Sequence, residues 1–229
     1  MKKKNPRLFP SWTHSRYYGL TKLRKANQLV IDKFIKRSLN EKVMLDYGCG
    51  SMPYRVMYEP YLRRYIGADI SINKLAEVQI ENNSGKIDIE DKFVDYILST
   101  QVLEHVESPE NYLKEAYRIA KDDSLLIIST HGFWMYHPDP TDYWRWTYAG
   151  LEKTLIINGW KPIFHIGIIG FAGAGLSLFQ DGISQKLPSF LRKGFCICMQ
   201  RLIAFVDYFY TDEERKEDCT LYLIVAKKC

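Results

Sequence analysis

Residues 43–50 read Val-Met-Leu-Asp-Tyr-Gly-Cys-Gly, and this stretch decides the fold. Its apolar run is typical of a buried parallel strand, and the two glycines, one residue apart, predict a tight turn directly after it. Glycine tolerates backbone angles that a Cβ atom forbids, and it lets a ligand approach the main chain closely. The stretch therefore predicts a nucleotide-type binding site at the carboxyl end of the first strand.

Acids near this turn indicate which kind of cofactor it holds. A dinucleotide-binding turn has a third glycine, but Pro53 stands at that position, where it neither donates an N–H nor allows close packing. Asp46, shortly before the first glycine, suits a cationic ligand better than a pyrophosphate. Asp69 lies 19 residues after Gly50, near the distance at which such folds place a carboxylate on ribose hydroxyls. A ribose and a cation without phosphates describe S-adenosylmethionine.

The motifs at 45–50, 67–69 (Gly-Ala-Asp) and 93–106 (Phe-Val-Asp-Tyr-Ile-Leu-Ser-Thr-Gln-Val-Leu-Glu-His-Val) together resemble those of class I S-adenosylmethionine-dependent methyltransferases. More narrowly they resemble the type 11 methyltransferase domain, over roughly residues 40–165. Further motifs resemble methyltransferases associated with surface-polysaccharide synthesis; they are Gly-Ser-Met-Pro-Tyr-Arg at 50–55, His-Pro at 137–138, Asp-Tyr-Trp-Arg-Trp-Thr at 142–147 and Gly-Leu at 150–151.

The resemblance implies which residues hold S-adenosylmethionine. Asp46, Gly48 and Gly50 would form the turn and the methionyl end of the site, Asp69 would bind the ribose hydroxyls, and Gln101 would lie beside the methionyl group. The acid that contacts adenine in this family has no clear counterpart, since Glu81, Asn82 and Asn83 occupy its region.

Strand and helix patterns alternate along the chain. Helices are expected at 23–39 and 55–63, from Pro109 onward behind a Ser108 cap, and after Thr147 up to Asn158-Gly159. Strands are expected at 42–47, 64–69, 76–81, 93–99, 125–130, 161–170 and 220–227, the last two as an antiparallel pair. This alternation predicts an α/β fold, a doubly wound Rossmann-like sheet of seven strands with a helical insertion before the last strand.

The expected division of the chain follows from this pattern. It comprises an N-terminal arm and helix (1–39), a cofactor-binding core (40–170), a helical insertion (171–218) and the last core strand (219–229). We expect residues 1–21 to be a mobile arm or lid and 171–175 to be a flexible turn. Arg201 interrupts the apolar stretch at 187–210, so its uninterrupted apolar run is far shorter than the ~20 residues of a spanning helix. A helix packed on the sheet, a homodimer face and a membrane-surface helix all fit it.

The charge and cysteine content exclude several classes of protein. The net charge of +5 comes from 32 basic and 27 acidic side chains, and much of the excess lies in the first 37 residues, so an anionic partner and a solvated basic arm both explain it. Five cysteines without a C-x-x-C pair argue against a zinc ribbon or a disulfide framework, and no metal site is expected. We expect a cytoplasmic protein, with peripheral contact to the inner membrane face left open.

Candidate catalytic residues come from the chemistry of methyl transfer. The sulfonium already activates the methyl group, so the protein aligns donor and acceptor, and a hydroxyl acceptor also needs a base such as histidine. We expect His137 to be that base, Asp142 to orient it or bind an acceptor hydroxyl, and His105 to be a second candidate. Each of these three residues also fits a purely structural role in the loop that carries it. The remaining acceptor-side candidates are Tyr143, His131 and Arg145, the last for a phosphate or carboxylate.

The leading hypothesis is an S-adenosylmethionine-dependent O-methyltransferase acting on a sugar or glycan precursor. A small-molecule N- or phosphate-type O-methyltransferase and a non-catalytic S-adenosylmethionine-binding module remain alternatives. Nucleic-acid methylation is disfavoured, because Ser-Thr-Gln-Val at 99–102 stands where base-flipping enzymes carry Asn-Pro-Pro-Tyr. A dehydrogenase is disfavoured by Pro53.

Overall fold

A seven-stranded sheet organises the molecule, whose computed structural model describes residues 5–38, 40–81 and 84–229. In chain order the strands are β1 (Val43–Tyr47), β2 (Arg64–Ile70), β3 (Val78–Ile80), β4 (Val94–Thr100), β5 (Ala120–His131), β6 (Trp160–Gly170) and β7 (Cys219–Lys228). The spatial order is β3-β2-β1-β4-β5-β7-β6, in which β1 to β5 run parallel and β7 is antiparallel to both of its neighbours. The predicted fold class is confirmed.

Helices cover both faces of this sheet. They are α1 (Tyr17–Val30), α2 (Arg55–Tyr58), α3 (Pro109–Ile119), α4 (Tyr148–Ile157), α5 (Phe171–Ser184), α6 (Ser189–Asp207) and α7 (Asp212–Glu217). A π-helical turn, Ile31–Ile35, continues α1, and a 3-10 turn, Leu103–His105, follows β4. The expected caps are present, since Ser108 Oγ accepts from the Asn111 N–H and Thr147 Oγ1 accepts from the Gly150 N–H.

The central strand β1 is buried on both faces, which is why its sequence is continuously apolar. Val43, Leu45 and Tyr47 point into a core shared with α3 and α4. Met44, between them, points into a second core shared with α1. The period-two alternation of a strand thus lets five residues hold two helical layers in place. It also fixes the carboxyl end of β1, where the glycine turn begins.

Three sequence expectations about segment boundaries are wrong. Helix α1 begins at Tyr17, six residues earlier than expected, and Leu8 in the supposed mobile arm is buried; the first four residues of that arm lie outside the described chain. The expected turn at 171–175 is the first turn of α5, where small residues allow close packing and a Cβ on Gly173 would come within 2.6 Å of Ile169. Strand β5 begins at Ala120, because 121–124 bulge between two parallel pairings with β4.

Helix α6 is attached to the core through the buried carboxylate of Asp207. Its Oδ1 accepts hydrogen bonds from the Gly170 N–H at 2.8 Å and from Arg215 Nε at 3.1 Å. Its Oδ2 accepts from the Tyr18 hydroxyl at 2.8 Å and lies 3.3 Å from Lys22 Nζ. Burial alone would raise the pKa of Asp207, but these donors and cations hold the pKa below its ordinary value. One carboxylate therefore joins α1, β6, α6 and α7.

The outward face of the α5–α6 pair is rich in apolar side chains. The exposed apolar side chains of α6 are Phe190, Leu191, Leu202 and Phe205. Tyr208 and Phe209, directly after the helix, are exposed as well. Within the described residues, no helix combines the length and the apolar character needed to cross a bilayer. The insertion thus presents an apolar surface without being a membrane span.

We predict that Asp207→Asn lowers the free energy of unfolding by about 3 kcal/mol, because it leaves Arg215 with only the solvent-exposed Asp212 as counter-charge. Asp212 pairs with the same Arg215 at 3.0 Å but is 98% exposed, so Asp212→Asn is the matched control and should cost less than about 1 kcal/mol. The stabilisation by Asp207 is present above its unfolded pKa of about 4 and is lost as the pH falls through its lower folded pKa. Urea unfolding at pH 7 and at low pH measures both effects; equal losses in the two variants would contradict this assignment.

Candidate active site

The turn after β1 is formed as its glycines predict. Gly48 and Gly50 have φ angles of +83° and +51°, in the left-handed region that favours glycine. The N–H groups of Gly48 and Cys49 both donate to the Ala68 carbonyl of the neighbouring strand at 2.9 Å. A Cβ on Gly48 would lie 2.5 Å from Val102, whereas a Cβ on Gly50 would meet nothing within 4 Å. Packing therefore requires glycine at 48, and open space lies above 50.

Asp69, at the carboxyl end of β2, is oriented by this turn. Its Oδ2 accepts from the Gly50 N–H at 2.8 Å and from Asn73 Nδ2 at 2.7 Å, while its Oδ1 accepts from the Ile70 N–H at 2.8 Å. Asn73 Nδ2 also donates to the Gly50 carbonyl at 2.7 Å, so it ties the acid and the turn together. Sequence reasoning missed Asn73; an amide side chain four residues after the strand-end acid was the available signal.

Two further predicted cofactor residues lie at the ends of β1 and β4. Asp46 is buried, and its Oδ2 accepts from the Tyr65 hydroxyl at 2.5 Å, while its Oδ1 has no hydrogen-bond partner among the described residues. Burial raises the pKa of Asp46 to about 7, against the opposing effect of the Tyr65 hydrogen bond. Gln101 has a φ of +58°, and its Nε2 donates to Ser129 Oγ at 3.1 Å.

These residues fit the cofactor that the sequence motifs imply. Open space above Gly50 admits a ligand, and the unpartnered oxygen of buried Asp46 suits a positive charge nearby. Asp69 presents a fixed carboxylate beside the turn, as recognition of ribose hydroxyls requires. Glu81, from the region expected to contact adenine, accepts instead from the Ser84 hydroxyl at 2.7 Å. Asn82 and Asn83 lie outside the described residues.

Three of the predicted acceptor-side histidines come together at the ends of β4 and β5. The ring centroids of His131 and His137 are 4.7 Å apart, and those of His105 and His137 are 4.9 Å apart. Burial lowers the pKa of His131 to about 2, and burial also lowers the pKa of His137. Glu104, fully buried beside them, was missed as a site residue although it directly precedes His105. Burial raises the pKa of Glu104 to about 7, against its hydrogen bonds.

His105 is held in a defined orientation. Its Nδ1 lies 2.6 Å from the Thr141 carbonyl oxygen. A carbonyl oxygen only accepts hydrogen bonds, so Nδ1 carries the proton and Nε2 of the neutral ring carries the lone pair. This Nε2 lies 4.0 Å from Glu104 Oε1, inside the cluster. Among the described residues Nε2 of His105 accepts no hydrogen bond, so its lone pair is available, as a general base requires.

The residues between β5 and α4, 132–147, form a cover loop over this cluster. Asp142 and Arg145 brace the loop through two parallel hydrogen bonds of 2.6 Å, and Asp142 Oδ2 also accepts from the His137 N–H at 2.8 Å. Although burial opposes it, this arrangement holds the pKa of Asp142 below its ordinary value. The other Arg145 N–H groups donate to the carbonyls of Trp134, Met135 and Trp144.

All five N–H donors of Arg145 are therefore used within the loop. This pattern favours a structural role for Arg145 over the phosphate-binding role expected from the sequence. Asp142 likewise contacts the backbone of His137, and its Oδ2 lies 3.3 Å from His137 Nδ1 without an aligned hydrogen bond. Tyr143 is half-exposed on the loop, with its N–H donating to the Glu104 carbonyl at 2.8 Å.

The chain resembles known proteins both in sequence and in fold. The profile of a family described as a methyltransferase domain matches residues 8–158. No curated protein sequence matches the chain significantly. Among solved structures, a SAM-dependent methyltransferase from Aquifex aeolicus is similar, with a TM-score of 0.53 and 14% identity over 89% of each chain.

Two other similar structures show how widely the fold is used. Phosphoethanolamine N-methyltransferase 2 from Haemonchus contortus, solved with phosphomonomethylethanolamine and S-adenosylhomocysteine, has a TM-score of 0.58 and 15% identity over 89% of this chain and 52% of that chain. The cyclase SpnF has a TM-score of 0.55 and 15% identity over 90% of this chain and 82% of that chain. At such identities the likeness shows the fold alone.

We predict that Gly50→Ala weakens S-adenosylmethionine binding at least about 10-fold, because the new Cβ enters the space where a ligand approaches the turn. The positive φ should also cost about 1 to 2 kcal/mol of stability. Gly194→Ala on α6, whose Cβ would likewise meet nothing within 4 Å, is the matched control and should leave binding unchanged. Calorimetric titration measures both; an affinity for Gly50→Ala within twofold of the wild type would refute this placement of the cofactor.

Proposed function

The chain belongs to the methyltransferase domain family, and we propose that it transfers a methyl group from S-adenosylmethionine to a hydroxyl of a sugar or glycan precursor. The family and the fold establish an S-adenosylmethionine-dependent methyltransferase in general terms. The acceptor and the methylated atom are our proposal. The observation that carries it is the free Nε2 of His105, held among buried polar groups beneath an aromatic loop.

S-adenosylmethionine supplies a methyl group activated by its sulfonium, so the protein needs no covalent intermediate of its own. Asp46, Gly48, Gly50, Asp69 and Gln101 would hold the cofactor at the ends of β1, β2 and β4. The acceptor would lie over the neighbouring ends of β4 and β5. Both reactants thus meet at one edge of the sheet, where parallel strands of this topology bind their ligands.

Proton removal is assigned to His105 in place of His137, which sequence reasoning favoured. The Thr141 carbonyl fixes the His105 tautomer, so a hydroxyl proton can move to Nε2 as the oxygen attacks. Burial, by contrast, lowers the pKa of His137, and its Nδ1 makes no hydrogen bond among the described residues, so that ring is the weaker base. Asp142 remains a positioning residue, because it orders the loop through Arg145 and the His137 N–H.

The cover loop supports a sugar-like acceptor. It presents exposed aromatic surfaces at Tyr136, Tyr143 and Trp144, and the Trp144 indole is fixed by donating to the Val106 carbonyl at 2.7 Å. Rigid aromatic faces beside a few placed polar groups are typical of small-molecule sites.

We predict that the protein, supplied with S-adenosylmethionine and a panel of nucleotide sugars and glycan lipids, forms S-adenosylhomocysteine with a hydroxyl acceptor. His105→Asn keeps an N–H donor for the Thr141 carbonyl but removes the base, so kcat should fall about 10² to 10⁴-fold. Binding of S-adenosylmethionine should stay the same. His14→Gln, a histidine before α1, is the control.

Mass spectrometry of the product identifies the methylated atom. Methylation of phosphoethanolamine in the same panel, with no O-methylated sugar, would replace the O-methyltransferase proposal by the N-methyltransferase alternative. Cofactor binding without turnover of any acceptor would favour a non-catalytic module. An unchanged kcat in His105→Asn would overturn the assignment of the base.

For the α5–α6 insertion we propose contact with an anionic membrane surface, where a lipid-linked acceptor would be found. The exposed apolar side chains of α6 lie beside four exposed cations, Lys186, Arg192, Lys193 and Arg201. None of these cations has an ion pair within the described parts of the chain. The one acid of α6, Asp207, is buried and paired. Aromatic side chains flanked by unneutralised cations suit a bilayer interface better than a second identical copy, which would bring like charges together.

We predict that the protein co-sediments with phosphatidylglycerol-containing vesicles and less with pure phosphatidylcholine vesicles. The double variant Phe205→Ser/Phe209→Ser should reduce partitioning at least about 10-fold, because each buried aromatic ring contributes on the order of 1 kcal/mol or more. Ile156→Ser/Ile157→Ser removes two exposed apolar side chains from α4 and is the matched control. The surface is a homodimer face instead if the wild type does not bind vesicles and elutes as a dimer, while the Phe205→Ser/Phe209→Ser variant elutes as a monomer.

A further inference from the structure

We propose that Glu104, His131 and His137 form a binding site for a divalent first-row transition metal. No sequence motif predicts this site. Each of the three side chains offers one ligand atom, and these atoms all lie within 4.8 Å of one another. Two imidazoles and a carboxylate form a common donor set for Zn²⁺ or Mn²⁺ in proteins, whereas Mg²⁺ prefers oxygen ligands alone.

Two polar atoms that face each other in the cluster make no hydrogen bond within the described residues, as expected of atoms that bind a ligand. Glu104 Oε1 and His131 Nδ1 lie 3.2 Å apart, yet neither makes a hydrogen bond within the described chain. Both side chains are more than nine-tenths buried. An unsatisfied buried polar atom costs about 1 to 3 kcal/mol, so two such atoms facing one another are costly unless something binds them.

The surroundings support the ligands in the way that metal sites require. Thr130 Oγ1 donates to Glu104 Oε2 at 2.8 Å, which leaves Oε1 directed at the cluster. His137 Nδ1 lies 3.3 Å from the Asp142 carboxylate, a placement that orients ligand imidazoles in metal sites. Trp134 stacks on the His131 ring at a centroid distance of 4.7 Å and an angle of 7°. These contacts hold three side chains from two strand ends and a loop in one arrangement.

Three protein ligands leave a metal with open coordination positions, as in catalytic rather than structural sites. The cluster lies on the acceptor side, so an acceptor oxygen could occupy such a position; this role rests on the proposed function. His105 is not one of the three ligands, and it keeps its part as base. Metal binding itself depends neither on the acceptor nor on methyl transfer, so the two proposals can fail separately.

The test titrates chelator-treated protein with ZnCl2, MnCl2 and MgCl2 by calorimetry, without cofactor or acceptor. Cys198→Ser and Cys229→Ser are made in every protein, because these exposed thiols could bind zinc on their own. We expect one equivalent of Zn²⁺ or Mn²⁺ per chain, with Zn²⁺ bound more tightly and Mg²⁺ weakly. Glu104→Gln and His137→Gln should each lower the affinity by more than about 100-fold, because loss of even an outer partner costs 10 to 100-fold. His14→Gln should bind as the parent does.

His137 is partly exposed, so His137→Gln should fold even if Glu104→Gln does not, and thermal unfolding of the metal-free proteins checks this. The absorption spectrum of the Co²⁺-loaded parent reports nitrogen and oxygen ligation and should be lost in both variants. Absence of stoichiometric Zn²⁺ or Mn²⁺ binding by the parent would overturn the proposal. So would binding that survives both substitutions, since it would then arise from adventitious surface groups.

Discussion

The burial of Glu104 is the constraint on which the acceptor side of the site depends. A fully buried carboxylate is costly unless neighbouring groups compensate it. Its Oε2 accepts from Thr130, and its main-chain carbonyl accepts from the N–H groups of Tyr143 and Trp144 in the cover loop. Glu104 therefore lies beneath the cover loop and also holds it in place through its main-chain carbonyl. Trp146 repeats this pattern through the His131 carbonyl at 3.0 Å, so loop and histidine cluster form as one unit.

The cofactor side and the acceptor side are coupled through one tight contact. Gly48 in the turn after β1 packs so closely on Val102 that a Cβ there would come within 2.5 Å of it. Val102 begins the segment that carries Glu104 and His105. A ligand that shifts the glycine turn would therefore displace the segment that begins at Val102, and a displacement of that segment would shift the turn. A parallel sheet makes such coupling possible, because the carboxyl ends of neighbouring strands meet at one edge.

Polar contacts connect the helical insertion to the sheet edge that carries the histidine cluster. Asp207 binds the N–H of Gly170 at the end of β6 and the hydroxyl of Tyr18 on α1. Arg16, just before α1, lies over the Trp134 ring at 4.6 Å and 3.7 Å from Asp181 on α5. Trp134 in turn stacks on His131. A membrane surface that engaged α6 would thus be separated from the histidine cluster by only a few packed side chains.

The sequence by itself determined the sheet, the glycine turn and the placement of Asp46 and Asp69 beside that turn, since each is a local matter. Strand periodicity, the glycines that adopt positive φ and the spacing from Gly50 to Asp69 can all be read from short stretches of the sequence. The starts of α1 at 17 and of α5 at 171 escaped prediction; both lie beside Asp207, which is distant in sequence and binds the Tyr18 hydroxyl and the Gly170 N–H.

Only the tertiary structure decided which acceptor-side residues could act. His105 is 26 residues before His131 and 32 before His137, and the roles of all three depend on neighbours that folding supplies. The Thr141 carbonyl gives His105 its tautomer, and a loop network consumes every donor of Arg145. Burial of Glu104 directly before His105 creates the unsatisfied cluster. Burial and hydrogen-bond partnership are properties of the packed chain, and no spacing rule along the sequence encodes them.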